Sequence, residues 1–209
     1  MATNFGSRVF TTAVKELQKR YGSRTHYERL RGQTGSADQL TADEIEFISE
    51  RDTFYMATVG ESGWPYVQHR GGPKGFLKVI DANTLAFADY RGNKQYISTG
   101  NLMTDRRVSL ILLDYPRRAR LKILGTASIF EGDQAAPWLG RVQDSGYAAV
   151  IERVYVISVE AFDWNCQQHI TERFTVEELR TVLEPVERRL HALEEENAKL
   201  RKQLSARTG

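Results

Sequence analysis

Between residues 54 and 159 the chain is a succession of short apolar or alternating runs, each closed within a few residues by a turn signal. That rhythm constrains the fold more than any single motif does. Residues 54–59 and 65–69 flank Gly60-Glu61-Ser62-Gly63, the pattern of a hairpin. Residues 76–80 and 84–88 flank Asp81-Ala82-Asn83, and residues 108–113 and 118–123 flank Tyr115-Pro116. A last run, 153–159, follows a helix or loop around 138–150. Short strands joined this tightly predict a small closed antiparallel barrel instead of a βαβ array, because closure removes exposed strand edges.

Helices are expected at both ends of this β region. Val14, Leu17 and Tyr21 lie at helical spacing and are followed by Gly22-Ser23, which predicts a short amphipathic helix over 11–21. Thr41-Ala42-Asp43-Glu44 has the form of a capping box before Ile45, Phe47 and Ile48, so a second helix should end near Arg51. In the tail, Leu183, Val186, Leu190, Leu193, Asn197, Leu200 and Leu204 alternate at spacings of three and four, as the a and d positions of a heptad. Asn197 at an a position favours parallel pairing with a second copy; the competing reading is an amphipathic helix lying on its own barrel.

Composition narrows the class. Net charge is only +2 across 209 residues, and no recognition helix or aromatic-interleaved basic stretch is visible, which argues against nucleic acid as a partner. A single cysteine, Cys166, precludes an intramolecular disulfide, and with four histidines no metal-ligand spacing emerges. No apolar stretch reaches the length of a signal peptide core or a membrane span, so a cytoplasmic protein without a membrane partner is expected.

Three stretches carry candidate chemistry. In Ala88-Asp89-Tyr90-Arg91-Gly92-Asn93-Lys94-Gln95-Tyr96 a strand ends, a glycine turns the chain, and a helix should run to Met103. A helix start with Arg91 and Lys94 beside it suits a phosphate, although a turn with solvated cations fits the same residues. Alternation over 118–123 puts Arg118, Arg120 and Lys122 on one face, which must meet solvent, a partner chain or an anion. Trp164-Asn165-Cys166-Gln167-Gln168-His169 gathers polar and aromatic groups after the last strand; Cys166 reads as a small buried apolar residue and His169 has no assigned role. His69 is open to either a packed or an acid–base reading.

The order of Gly63-Trp64-Pro65-Tyr66-Val67-Gln68-His69-Arg70, Phe87 through Gln95, Arg107-Val108-Ser109-Leu110 and Trp164 through Ile170 resembles the pyridoxamine 5′-phosphate oxidase superfamily, in its bacterial flavin-nucleotide-binding branch. The resemblance runs from about Thr41 to His169. It implies a homodimer of split β-barrels with FMN in clefts at the subunit interface. Carried over by position, Gln68, His69 and Arg70 lie where a strand approaches the flavin and its phosphate tail. Lys94 matches a phosphate-contacting basic residue, with Arg91 and Asn93 in the same loop, and Arg120 or Lys122 falls where the next hairpin reaches FMN. The chain departs from the oxidase pattern in Gly92-Asn93-Lys94 and in its helical tail, so oxidation of pyridoxamine phosphate is not implied.

The expected organisation is a mainly β protein: an N-terminal helical extension over 1–40, an antiparallel FMN-binding split barrel over 41–170, a linker and helix start over 171–182, and a heptad helix over 183–209. The expected function is FMN-dependent oxidoreduction of a small-molecule redox substrate, with no side chain required as nucleophile. A non-catalytic flavin-binding or sensing module and a deazaflavin-dependent reductase on the same fold are the alternatives.

Overall fold

The computed structural model describes residues 4–29, 37–164 and 168–207. Three short helices, α1 (Phe5–Val9), α2 (Thr12–Arg20) and α3 (Arg24–Arg29), precede α4 (Ala42–Ser49). The β region then runs β1 (Thr53–Val59), β2 (Pro65–Gly71), β3 (Lys78–Asp81), β4 (Thr84–Tyr90), α5 (Ile97–Thr104), β5 (Arg107–Asp114) and β6 (Ala119–Phe130). A 3-10 turn and α6 (Ala136–Val142) lead to β7 (Ile151–Trp164), and α7 (Val176–Arg207) ends the described chain. The protein is mainly β with helical extensions.

All strand pairs are antiparallel, in the order β2-β1-β5-β6-β7-β4-β3. The sheet is therefore not closed, which corrects the expectation of a fully closed barrel: β2 and β3 remain its two edges. The physical reason is that no ladder joins β2 to β3; α5 is instead bonded to β2, β7 and β1 by side chains. Its Ser98 donates to Gln68 on β2 at 2.8 Å, its Thr99 meets the Tyr155 hydroxyl on β7 at 2.7 Å, and its Asn101 donates to Thr58 on β1 at 2.9 Å. Side chains bridge the gap where a backbone ladder would otherwise run.

Two strands are longer than the sequence pattern indicates. β6 passes through a bulge at Leu124/Gly125, and a Cβ at Gly125 would lie 2.4 Å from the Ser158 carbonyl oxygen, so only glycine lets β6 and β7 approach there. Arg118 belongs to the turn, with φ of 51°, so it does not join Arg120 and Lys122 on a strand face. The short helix expected over 11–21 forms as α2, with Val14 half-buried and Leu17 and the neighbouring Tyr21 exposed. The Thr41 capping box forms: Glu44 accepts from the Thr41 backbone and hydroxyl at 2.9 and 2.6 Å. Burial opposes ionisation of Glu44, but those bonds and a 2.6 Å bond from Trp164 Nε1 outweigh it and hold its pKa below the usual value.

The main core gathers on one face of the sheet. Phe54, Phe76, Phe87 and Tyr155 stack or meet edge to face at centroid distances of 4.9–6.4 Å, above Met56, Leu110, Leu112, Leu121 and Ile123, all fully buried. The N-terminal segment belongs to the same compact unit, residues 1–114 with 118–170. It is tied down by Asp38, whose carboxylate accepts from Asn4 and from the Phe162 backbone. Residues 115–117 and 171–209 form a second unit, dominated by α7, in which the Arg173 guanidinium lies 5.0 Å over the Tyr115 ring. Because Phe87 touches three other core rings, Phe87→Ala should cost about 3–5 kcal/mol of stability, measured as a lower denaturation midpoint at unchanged slope.

Candidate functional site

The site grows out of the core along β4 and β7. On their inner face Leu85 pairs with Ile157, Phe87 with Tyr155 and Asp89 with Arg153, so the lining changes from aliphatic to aromatic to charged over three successive cross-strand pairs. Alternation with a period of two sends all six side chains to the same face. The last pair faces the barrel opening.

Asp89 is buried and accepts from two arginines on different strands. One carboxylate oxygen takes Arg70 Nη1 from β2, and the other takes Arg153 Nη1 at 2.6 Å. Since β2 and β4 have no backbone contact in the sheet order, this carboxylate joins the two sides of the opening. Arg153 also reaches Glu131 at 2.7 Å and Glu152 at 3.4 Å. Burial works against its charge, yet Glu131 and Asp89 dominate and raise its pKa further. Arg70 lies 5.1 Å over the Tyr155 ring and 5.7 Å over Phe87, while its buried Nε has no hydrogen-bond partner.

Two phenols near the opening stay protonated at neutral pH. Burial is the main cause at Tyr155, reinforced by Asp89 and opposed by the Thr99 hydrogen bond and the two arginines; its pKa is raised. Tyr90 is pushed up to about 12, first by burial and then by the Asp144 carboxylate and Tyr147.

The rim is the turn between β4 and α5. Asn93 Oδ1 accepts the Gln95 backbone N–H at 3.2 Å, and Lys94 and Tyr96 both have left-handed φ, 60° and 53°. Two non-glycine residues with positive φ in one turn are uncommon and must be held by their surroundings. For Tyr96 that support is the Arg153 guanidinium, 4.8 Å over its ring. Tyr96 is also the N-cap of α5 and gives it no side-chain cap, which leaves the dipole's positive end facing the rim.

Gln68, Arg70, Asn93 and Lys94 thus come together around one cleft, with Asp89, Tyr90, Gly92, Tyr96, Ser98, Thr99, Glu152 and Arg153 completing its walls. The other sequence candidates lie elsewhere in this chain. Strand parity puts His69 on the opposite face of β2, where its Nε2 is 2.6 Å from the Thr53 hydroxyl. Arg91 is exposed and pairs with Glu152 at 2.9 Å. Arg120 and Lys122 are on the face of β6 opposite the buried Leu121 and Ile123; Lys122 is held by Asp163 at 2.6 Å and by the Phe5 ring at 4.7 Å. Cys166 lies outside the described residues, as do Asn165 and Gln167, and His169 sits in a turn with φ of 65°.

Sequence reasoning missed Asp89, Arg153 and Tyr155. The available signal was parity: in Leu85-Ala86-Phe87-Ala88-Asp89 the aspartate shares a face with Leu85 and Phe87, so it had to be buried and matched by a cation.

Removing Asp89 should leave two buried guanidinium groups facing one another. Asp89→Ala is expected to lose about 3–5 kcal/mol of stability, the usual cost of removing one partner from a buried ion pair. Asp89→Asn should fall between it and the parent. Urea unfolding checks both; a loss below about 1 kcal/mol for the alanine variant would mean that water screens the cluster.

Comparison with known proteins places this geometry in a family. The family model for pyridoxamine 5′-phosphate oxidase matches residues 40–181. No curated protein matches the chain. Among solved structures, HupZ of Group A Streptococcus is 19% identical, covering 65% of this chain and 100% of its own, with a TM-score of 0.45. A Clostridium acetobutylicum protein related to general stress protein 26 of Bacillus subtilis is 16% identical over 65% of this chain and 94% of its own, with a TM-score of 0.46. A Lactobacillus delbrueckii protein named as a pyridoxamine 5′-phosphate oxidase is 22% identical over 60% of this chain and 93% of its own, also at 0.46. Likenesses this distant carry no information on ligand or activity. The family match spans both walls of the cleft and well over half the sequence, and the chain belongs to the pyridoxamine 5′-phosphate oxidase family.

Proposed function

We propose that the cleft binds FMN and that the protein is a flavin-dependent oxidoreductase acting on a small-molecule redox substrate. The observation that carries this reading is the cation arrangement at the rim. Lys94 is exposed and has no ion-pair partner among the described residues, next to the uncapped start of α5. Arg70 Nε is a buried donor without an acceptor on the same wall. A phosphate monoester, with several acceptor oxygens and about two negative charges, suits donors that the protein leaves unmatched.

The deeper wall suits a flat polar ring system. The Gln68 carbonyl is engaged by Ser98, so its amide NH2 is the end left to donate, and Tyr155 and Arg70 supply aromatic and planar cationic surfaces. When bound, FMN would supply two-electron redox chemistry; the residues here bind and orient it and hold the local charge fixed. Arg70 and Arg153, anchored on Asp89, present guanidinium donors at fixed positions without side-chain rearrangement.

The cleft of one chain is small, about 190 Å3 against roughly 300–1,000 Å3 for pockets that enclose a ligand. A homodimer in which the second copy covers the opening resolves that shortfall. Exposed Trp64 and Val67 on the β1–β2 hairpin, and Met103 on α5, give apolar surface for such a contact.

Titration of flavin absorbance and fluorescence tests the proposal. The purified protein should take up FMN, and Lys94→Ala should weaken FMN about 10–100-fold, for roughly 1.5–3 kcal/mol of charge-assisted bonding, while riboflavin affinity changes little. Absence of FMN uptake by a folded protein overturns the cofactor assignment. Equal losses for FMN and riboflavin overturn the role of Lys94.

A further inference from the structure

We infer that α7 is one strand of a parallel two-stranded coiled coil formed with a second copy of this chain. The helix begins at Val176, and Val176 and Leu179 extend the a and d phase one heptad upstream of Leu183, so the seam runs Val176, Leu179, Leu183, Val186, Leu190, Leu193, Asn197, Leu200, Leu204. Each of these is exposed in the single chain, the leucines and valines by 44–73%. A continuous apolar seam of this length left in water is costly, and its period of 3.5 matches a left-handed supercoil.

The flanking charges select the occupant and its direction. In a parallel pair of identical helices, Arg189 at g faces Glu194 at e of the second copy, and Glu196 at g faces Arg201 at e. Both contacts are attractive and both occur twice by symmetry. Asn197 at a then meets its own twin, so two amides can bond across the seam; in an antiparallel pair it would be buried against a leucine. In the lone helix Arg201 Nε donates to Asn197 Oδ1 at 2.9 Å, the i,i+4 contact open to a helix without a neighbour. Pairing exchanges that bond for the Asn197 pair and the Glu196–Arg201 contact. Pro185 is at c, away from the seam, so its missing N–H does not interrupt the apolar contacts.

A coil of about four heptads is short for two free chains. A second contact between the same copies, such as the proposed barrel dimer, would raise the effective concentration of the helices; the pairing draws on that reading only for this.

Disulfide trapping in the full chain tests the inference, with Cys166→Ser as background. Twin a positions of a parallel coil lie within the roughly 4.4–6.8 Å Cα separation of a disulfide, whereas f positions point apart. Under mild oxidation Asn197→Cys should crosslink at least ten-fold faster than Lys202→Cys at an outward f position. Glu194→Arg should slow that crosslink, and adding Arg189→Glu should restore it. Equal rates at 197 and 202, or no crosslink at 197 while light scattering gives either a monomer or an intact dimer, overturn the proposal. A crosslink that appears only when Asn197→Cys chains are mixed with Val186→Cys chains overturns the parallel direction. Flavin titration of the same samples reads the FMN assignment separately.

Discussion

A single buried carboxylate organises the open side of this barrel. A closed barrel is held around its whole circumference by backbone ladders, whereas here β2 and β4 are joined across the gap by Arg70, Asp89 and Arg153. Taking three charges out of water is expensive, and such a cluster contributes little net stability compared with an apolar plug of the same shape. What it supplies is geometry. One hydrogen bond from each guanidinium to its own oxygen of Asp89 fixes where β2 stands relative to β4 and β7, and α5 is bonded to β2, β7 and β1 by Ser98, Thr99 and Asn101.

The cleft is continuous with the core because both are made by one alternation. The face of β4 that carries Leu85 and Phe87 into the barrel carries Asp89 to its mouth, and β7 repeats the sequence as Ile157, Tyr155 and Arg153. A buried aromatic floor beneath the ion cluster lowers the local dielectric, which strengthens the arginine–carboxylate attraction and keeps the Tyr155 phenol neutral. The polar wall therefore resists rearrangement, and its charge is set by the fold.

How far this was legible in the sequence depended on the range of the physics involved. Alternation and turn residues located every strand, since each signal is local: Gly60 through Gly63 makes one hairpin and Asp81 through Asn83 another. Closure was not legible, because whether β2 and β3 pair is a long-range matter that nothing local to either strand reports. The extent of β6 and β7 depended on a bulge at Gly125 that only the neighbouring strand reveals. Gln68, Arg70, Asn93 and Lys94 line one cleft, but the sequence groups Gln68-His69-Arg70 as one run although a strand must turn its middle residue away. Of the three cations expected on one strand face, Arg120 and Lys122 share it while Arg118 falls in the turn; that Lys122 lies against Phe5 and Asp163 is tertiary information.

The charge balance of the opening leaves one cation over, at its rim. Asp89, Glu131 and Glu152 are matched by Arg70, Arg153 and Arg91, so the deep cluster and its flank are close to neutral in sum. The unmatched cation among the cleft's lining residues is Lys94, at the rim, on a turn whose left-handed residues need external support. That support descends from the buried cluster: Asp89 anchors Arg153, Arg153 lies over Tyr96, and Tyr96 ends the turn that bears Lys94 and begins α5. A change at Asp89 would thus reach the proposed phosphate at the rim without touching it, through the Arg153 guanidinium and the Tyr96 ring. On the proposed reading, stability and phosphate affinity are coupled because Arg153 both pairs with Asp89 and supports Tyr96.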